Sequence, residues 1–241
     1  MSHRLRRFDA DLAHEQGQIL GEEMRAMGVN VDFAPVLDLN SNPDNPVIGI
    51  RSMGEDPDTV SRLGVAQIQG MQEHVAATAK HFPGHGDTNV DSHYGLPVVT
   101  YDRATLDEHL QPFQAAIDAG DMVMTAHIIV EAIDPELPGT LSHDVLTGLL
   151  REDMGFDGLV TTDALDMAAM AANWSQEEIA VMTIQAGSDI LLNSPDVDAS
   201  FAGVRQAVAD GVLTEERLEE SVRRILTWKA ERGILENRSR Q

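Results

Sequence analysis

Val75-Ala76-Ala77-Thr78-Ala79-Lys80-His81 is small and apolar until its last two residues, then abruptly polar. A run this short, without the 3.6-residue period of a surface helix, reads as a strand buried on both faces. The same pattern recurs at residues 29–35, 122–127, 158–163 and 188–193, each apolar run closing on a polar residue. Amphipathic stretches lie between them, over residues 58–73, 103–119, 142–153, 176–186 and 197–210. A last helix over 215–231 starts after Thr214 as N-cap and carries Arg217 where a capping box would place glutamate. It closes on Lys229, Arg232 and Gly233, a C-terminal signal.

Strands alternating with helices predict a parallel sheet covered by helices. The 241 residues suit one α/β barrel of the (β/α)8 type, which typically needs about 250. A doubly wound sheet is the other candidate. Its glycine-rich phosphate turn follows none of the strands, and Gly84-His85-Gly86 has the wrong form. No linker and no short repeat interrupts the alternation, so residues 1–241 read as one domain. In either fold the site lies where strands end, and polar residues gather there: Lys80 to His93, His127 and Asp163.

The segment from Lys80 to His93 packs three histidines, two aspartates and a lysine into one loop. Asp91 and His93 are two apart, and a carboxylate beside imidazole orients the ring and raises its pKa. That suits proton donation and removal near neutrality. A metal site is the second reading: His81 and His85 have an H-x3-H spacing, with Asp87, Asp91 and His93 close by. Asp163 stands at the tip of a strand, where a nucleophile would face the barrel mouth. Alternatively it caps a helix, although Asp166 is placed to do so. Arg51 follows an irregular Asn/Pro-rich loop; it either clamps sugar hydroxyls or pairs with a surface carboxylate.

Composition narrows the partners. Hydrophobic residues make up 42% and aromatics 4%, so aliphatic residues and 11 methionines must fill the core. There is no cysteine, which excludes disulfides and thiol catalysis. The net charge of −23 disfavours nucleic acid and anionic membranes as partners. Lys80 and Lys229 are the only lysines among 17 basic residues, a balance expected of a halophilic, acidic protein from a high-salt cytoplasm. No apolar run approaches a membrane span, and residues 1–11 lack a signal peptide's apolar region. These readings predict a cytoplasmic location.

Five segments together resemble glycoside hydrolase family 3, in its β-N-acetylhexosaminidase branch. They are FAPVLDLN (33–40), IRSMGEDP (50–57), KHFPGHGDTNVDSH (80–93), MTAHI (124–128) and FDGLVTTDAL (156–165), in the family's order. The resemblance implies a retaining hydrolase that removes terminal, non-reducing β-linked N-acetylglucosamine. It implies Asp163 as the nucleophile, Asp91 and His93 as the acid/base dyad, and Arg51, Lys80 and His81 as sugar ligands. It also implies no metal and no cofactor, with a carbohydrate as the partner. A β-glucosidase or a glycoside phosphorylase of the same family is the near alternative.

The family pattern begins earlier than this chain, with strands that include a D-Q-E-G-G-R-type motif whose aspartate grips the sugar. The chain opens in what resembles the following helix. The expectation is therefore an incomplete barrel of about five strands out of eight, lacking its N-terminal strands. Open edges invite self-association. A non-catalytic sugar-binding remnant is the contrasting functional reading.

Overall fold

The computed structural model describes residues 9–235. Residues 1–8, which carry most of the N-terminal stretch read above for a signal peptide, lie outside that range.

The frame is one parallel sheet with helices packed against it. Strands β1 (Val31–Asp32), β2 (Ala76–Phe82), β4 (Met122–Thr125) and β6 (Leu159–Thr161) lie in the order β1-β2-β4-β6. All three pairings are parallel. Every residue of β2 except Lys80 is buried, as expected of a strand covered on both faces. The register of β2 on β4 is regular through Ala79↔Val123 and shifts before Phe82↔Thr125. Lys80 and His81 sit in that irregularity, a device that re-aims side chains at strand ends.

Two expected strands are shorter than read. In the first, only Val31 and Asp32 pair regularly. Beyond them Thr78 N donates to Ala34 O at 2.7 Å, and Lys80 N donates to Pro35 O at 3.2 Å. Pro35 has no N–H to return, so the ladder breaks up. The run at 188–193 reduces to one parallel bridge, Thr161↔Ile190. A second parallel pair, β3 (Val98–Val99) with β5 (Ile129–Val130), has no counterpart in the sequence pattern. Two paired residues are too few for any periodicity to announce them.

Helices α1 (Ala10–Ala26), α2 (Pro57–Gln72), α3 (Arg103–Ala116), α4 (Ala168–Ala171), α5 (Gln176–Ala186), α6 (Val197–Ala209) and α7 (Glu215–Glu231) start at legible signals. Asp56, Asp102, Asp196 and Thr214 each accept a first-turn N–H. Ser175 and Glu178 form a full capping box. The exception is α4, whose N-cap is Met167 with no side-chain bond, so the expected cap by Asp166 is not made. The segment Asp144–Asp153 is a π-helix. Helices α1 and α2 cross at backbone contact: a Cβ on Gly70 would lie 2.1 Å from His14 O.

The main core lies between β2, β4, β6 and helices α2, α3 and Asp144–Asp153. Phe82 meets Phe113 edge-on at 5.4 Å within it. Helix α7 seals the other end of the sheet. Its Ile225 and Trp228 pack on Ala76, Met122 and Leu159, the first residues of β2, β4 and β6. Trp228 Nε1 donates to Asp121 at 2.7 Å, and Arg232 donates to the same carboxylate. The carboxyl ends of the strands are left for chemistry.

Candidate active site

Three strand ends and two loops meet at that open edge. At the centre is a residue that the sequence reading left without a role, Asp38. It is wholly buried. Its carboxylate accepts the His81 N–H at 3.2 Å, His81 Nδ1–H at 2.7 Å and the His85 N–H at 2.6 Å. Burial raises the Asp38 pKa, but the His81 charge and hydrogen bond, with His85 behind them, outweigh it and hold the carboxyl below its usual range. The loop that follows fits because Gly86 has no side chain: a Cβ there would lie 1.5 Å from Leu39 O.

With Nδ1 donating to Asp38, His81 presents Nε2 as an acceptor. Arg51 Nη2 stands 3.4 Å from it, and Arg51 Nη1 donates to Val47 O at 3.2 Å. Arg51 belongs to a short 3-10 turn, Gly49–Arg51, and its guanidinium reaches the buried histidine. Asp163 Oδ2 lies 4.0 Å from the same His81 Nε2. The other oxygen, Oδ1, accepts Ala164 N–H at 2.8 Å. Asp163 thus follows β6 without capping α4, and its side chain is 22% exposed, open to a ligand. Burial lowers the Lys80 ammonium, and Arg51 adds to the effect; Asp163, Asp32 and Asp38 pull the other way. Asp32, at the end of β1, is raised by burial and lowered by Lys80. Arg51, Lys80, His81 and Asp163 therefore form one cluster.

The Asp91–His93 pair forms as expected. His93 Nδ1 lies 2.6 Å from Asp91 Oδ1, which also accepts the His93 N–H at 2.9 Å. Burial raises Asp91, but the backbone and ring bonds from His93 lower it further, so it stays ionised. His93 is 58% exposed and leaves Nε2 unengaged by that pairing. Asp163 raises and His93 lowers the pKa of the buried His127, and burial, the largest cause, lowers it.

His127, a polar strand end in the sequence, has a structural role as well. It is 1% exposed, with Nε2 donating to Ala164 O at 3.0 Å and Nδ1 accepting from Thr140 Oγ1 at 2.7 Å. It braces the residue next to Asp163. The H-x3-H pair does not converge: the His81 and His85 rings are 6.1 Å apart at 75°. His81 turns to Asp38, while His85 turns to Thr88 and Ser92. A cavity of about 730 Å³ lies apart from this cluster, behind the Arg51 turn between α1 and α2. Ala13, Gln16, Ile50, Leu63 and Gln67 line it.

Residues 5–228 match the family described as Glycosyl hydrolase family 3 N terminal domain. The chain belongs to glycoside hydrolase family 3. Among relatives of this family is Beta-hexosaminidase A of Pseudoalteromonas piscicida, 39% identical over 87% of this chain and 39% of its own length. A family 3 β-N-acetylglucosaminidase structure from Paenibacillus sp. str. FPU-7 superposes with a TM-score of 0.91 at 47% identity, covering 94% of this chain and 44% of that one. The β-glucoside phosphorylase BglX superposes at 0.90 with 32% identity, covering 94% and 43%. The family 3 chain here thus spans less than half the length of these three. Its fold is the family's TIM-barrel-like α/β architecture. No described helix is long and apolar enough to cross a membrane.

A pH dependence of stability follows from the buried rings. Burial is the largest cause lowering the pKa of His85, His109 and His127, so all three are held neutral. The unfolded chain takes up their protons near 6.5, and the folded chain only at lower pH. Their contribution is complete above that value and lost as pH falls through it toward the folded pKa. The urea midpoint is expected to be lower at about pH 5.5 than at about pH 7.5. A midpoint that holds or rises on acidification would contradict this.

Proposed function

We propose that this family 3 chain carries the catalytic machinery of a retaining β-N-acetylglucosaminidase. Asp163 attacks the anomeric carbon, forming a C–O bond as the bond to the leaving oxygen breaks. Protonated His93 passes its Nε2 proton to that oxygen, supported by the Asp91 carboxylate on Nδ1. In the second step His93 takes a proton from water, the oxygen attacks the same carbon and Asp163 is released. Arg51, Lys80 and His81 hold the sugar hydroxyls. The observation that carries this reading is the position of Asp163 Oδ2, 4.0 Å from His81 Nε2 with Arg51 against the same nitrogen.

A histidine donor keeps a second negative charge away from Asp163. The test is release of chromophore from an aryl β-N-acetylglucosaminide, assayed with and without molar salt, since the acidic surface points to a high-salt setting. Faster turnover of the β-glucoside than of the N-acetylglucosaminide would overturn the substrate assignment. Sugar binding without release would mark a non-catalytic remnant. The likeness to BglX motivates a third arm with inorganic phosphate. Accumulation of a sugar 1-phosphate in place of the free sugar would make the enzyme a phosphorylase.

A further inference from the structure

Ser92 lies between the two residues of the dyad and behaves unlike either. It is 2% exposed, whereas the His93 side chain is 58% exposed. Its hydroxyl is 3.1 Å from His85 Nε2. The other ring nitrogen of His85 is 2.7 Å from Thr88 Oγ1. Thr88 donates its one proton to His85 O at 3.0 Å and accepts from Asn45 Nδ2 at 3.2 Å. The arrangement that satisfies every contact has His85 Nδ1–H donating to Thr88, so His85 Nε2 is the acceptor and Ser92 the donor. His85 is in turn fixed by its own N–H to Asp38 Oδ1 at 2.6 Å. On the other side, Ser92 O accepts Ala169 N–H at 3.2 Å, from the helix that follows Asp163.

We propose that Ser92 is a positioning residue that sets His93 over the reaction centre, because it pins the dyad loop at once to the Asp38–His85 hub and to the helix after Asp163. The inference rests on reading His93 as the acid/base. The carboxylate that holds the sugar-binding His81 also holds, through His85 and Ser92, the residue that protonates the leaving group. The position of the proton donor is thereby referred to the same frame as the sugar. The backbone that carries His93 is thus held beside the hub for as long as the Ser92–His85 bond is made.

Ser92→Ala removes one buried oxygen and leaves the Ala169 contact in place. A misplaced proton donor matters most where the leaving group needs the proton. For an alkyl or weakly activated β-N-acetylglucosaminide, kcat is expected to fall roughly 10- to 100-fold, with KM changing far less. For a dinitrophenyl leaving group the loss is expected to be several-fold smaller. Amide hydrogen exchange over residues 91–95 is expected to quicken by about tenfold while α2 is unchanged, a readout independent of activity. His93→Ala run alongside separates the two ideas. If His93→Ala depends on the leaving group but Ser92→Ala loses equally on all substrates with unaltered exchange, the positioning role is wrong and the acid/base reading stands. If His93→Ala shows no such dependence, both fall.

Discussion

Asp163→Ala is expected to lower kcat on an aryl β-N-acetylglucosaminide by on the order of 10⁴-fold or more, with the fold intact. The loss should fall on kcat because the carboxylate forms the bond that replaces the leaving group. The structure predicts little structural cost. The side chain is partly exposed and accepts a local hydrogen bond from Ala164 N–H. Thermal unfolding should therefore move only slightly, as for substitutions away from the core. His93→Ala should behave differently, sparing substrates whose leaving groups depart without a proton. Near-normal turnover by folded Asp163→Ala would remove the nucleophile from this account.

Asp189→Ala is expected to destabilise the protein by about 3–5 kcal/mol, since it strips the partner from buried cations. The Asp189 side chain is wholly buried. It accepts from Arg151 at 2.8 Å, Arg224 at 3.0 Å, Ser221 Oγ at 2.6 Å and Val160 N at 3.0 Å. Those partners come from the π-helix, α7 and β6, so one carboxylate joins three elements at the sealed end of the sheet. Arg151 is only 12% exposed, and the substitution leaves its charge without an anion. For a domain of this size such a loss lowers Tm by roughly 10 °C. Equilibrium denaturation checks it: a change below about 1 kcal/mol would show that the cluster is not a stabilising joint. KM of whatever protein remains folded should be little changed, because the cluster is at the opposite end from Asp163.

The parts legible in sequence were those with local causes. Caps such as Asp56, Asp102 and Thr214 sit one residue before the helices they start. The strand ending at Lys80-His81 announced both the buried sheet and its functional edge. Asp91 and His93 are recognisable as a pair because a single residue separates them, and their 2.6 Å contact is local. Asp38 was harder, since its partners are 43 and 47 residues away. The usable signal was a lone acid inside the apolar run Val36-Leu37-Asp38-Leu39, a charge that must find partners if buried. His127 has the same character: its brace on Ala164 crosses 37 residues. The bridge at Ile190 and the β3–β5 pair depend on tertiary neighbours, which no local pattern encodes. Asp166, an acid close to the helix start, does not cap it, because α4 starts at Ala168 and its N-cap is Met167.

The most direct test of the central claim is to acid-quench the protein during turnover of an activated β-N-acetylglucosaminide and map its peptides by mass spectrometry. The account predicts one N-acetylglucosaminyl group, esterified to the peptide bearing Asp163 and absent from Asp163→Ala. Turnover with no adduct, or an adduct on another carboxylate, would contradict it.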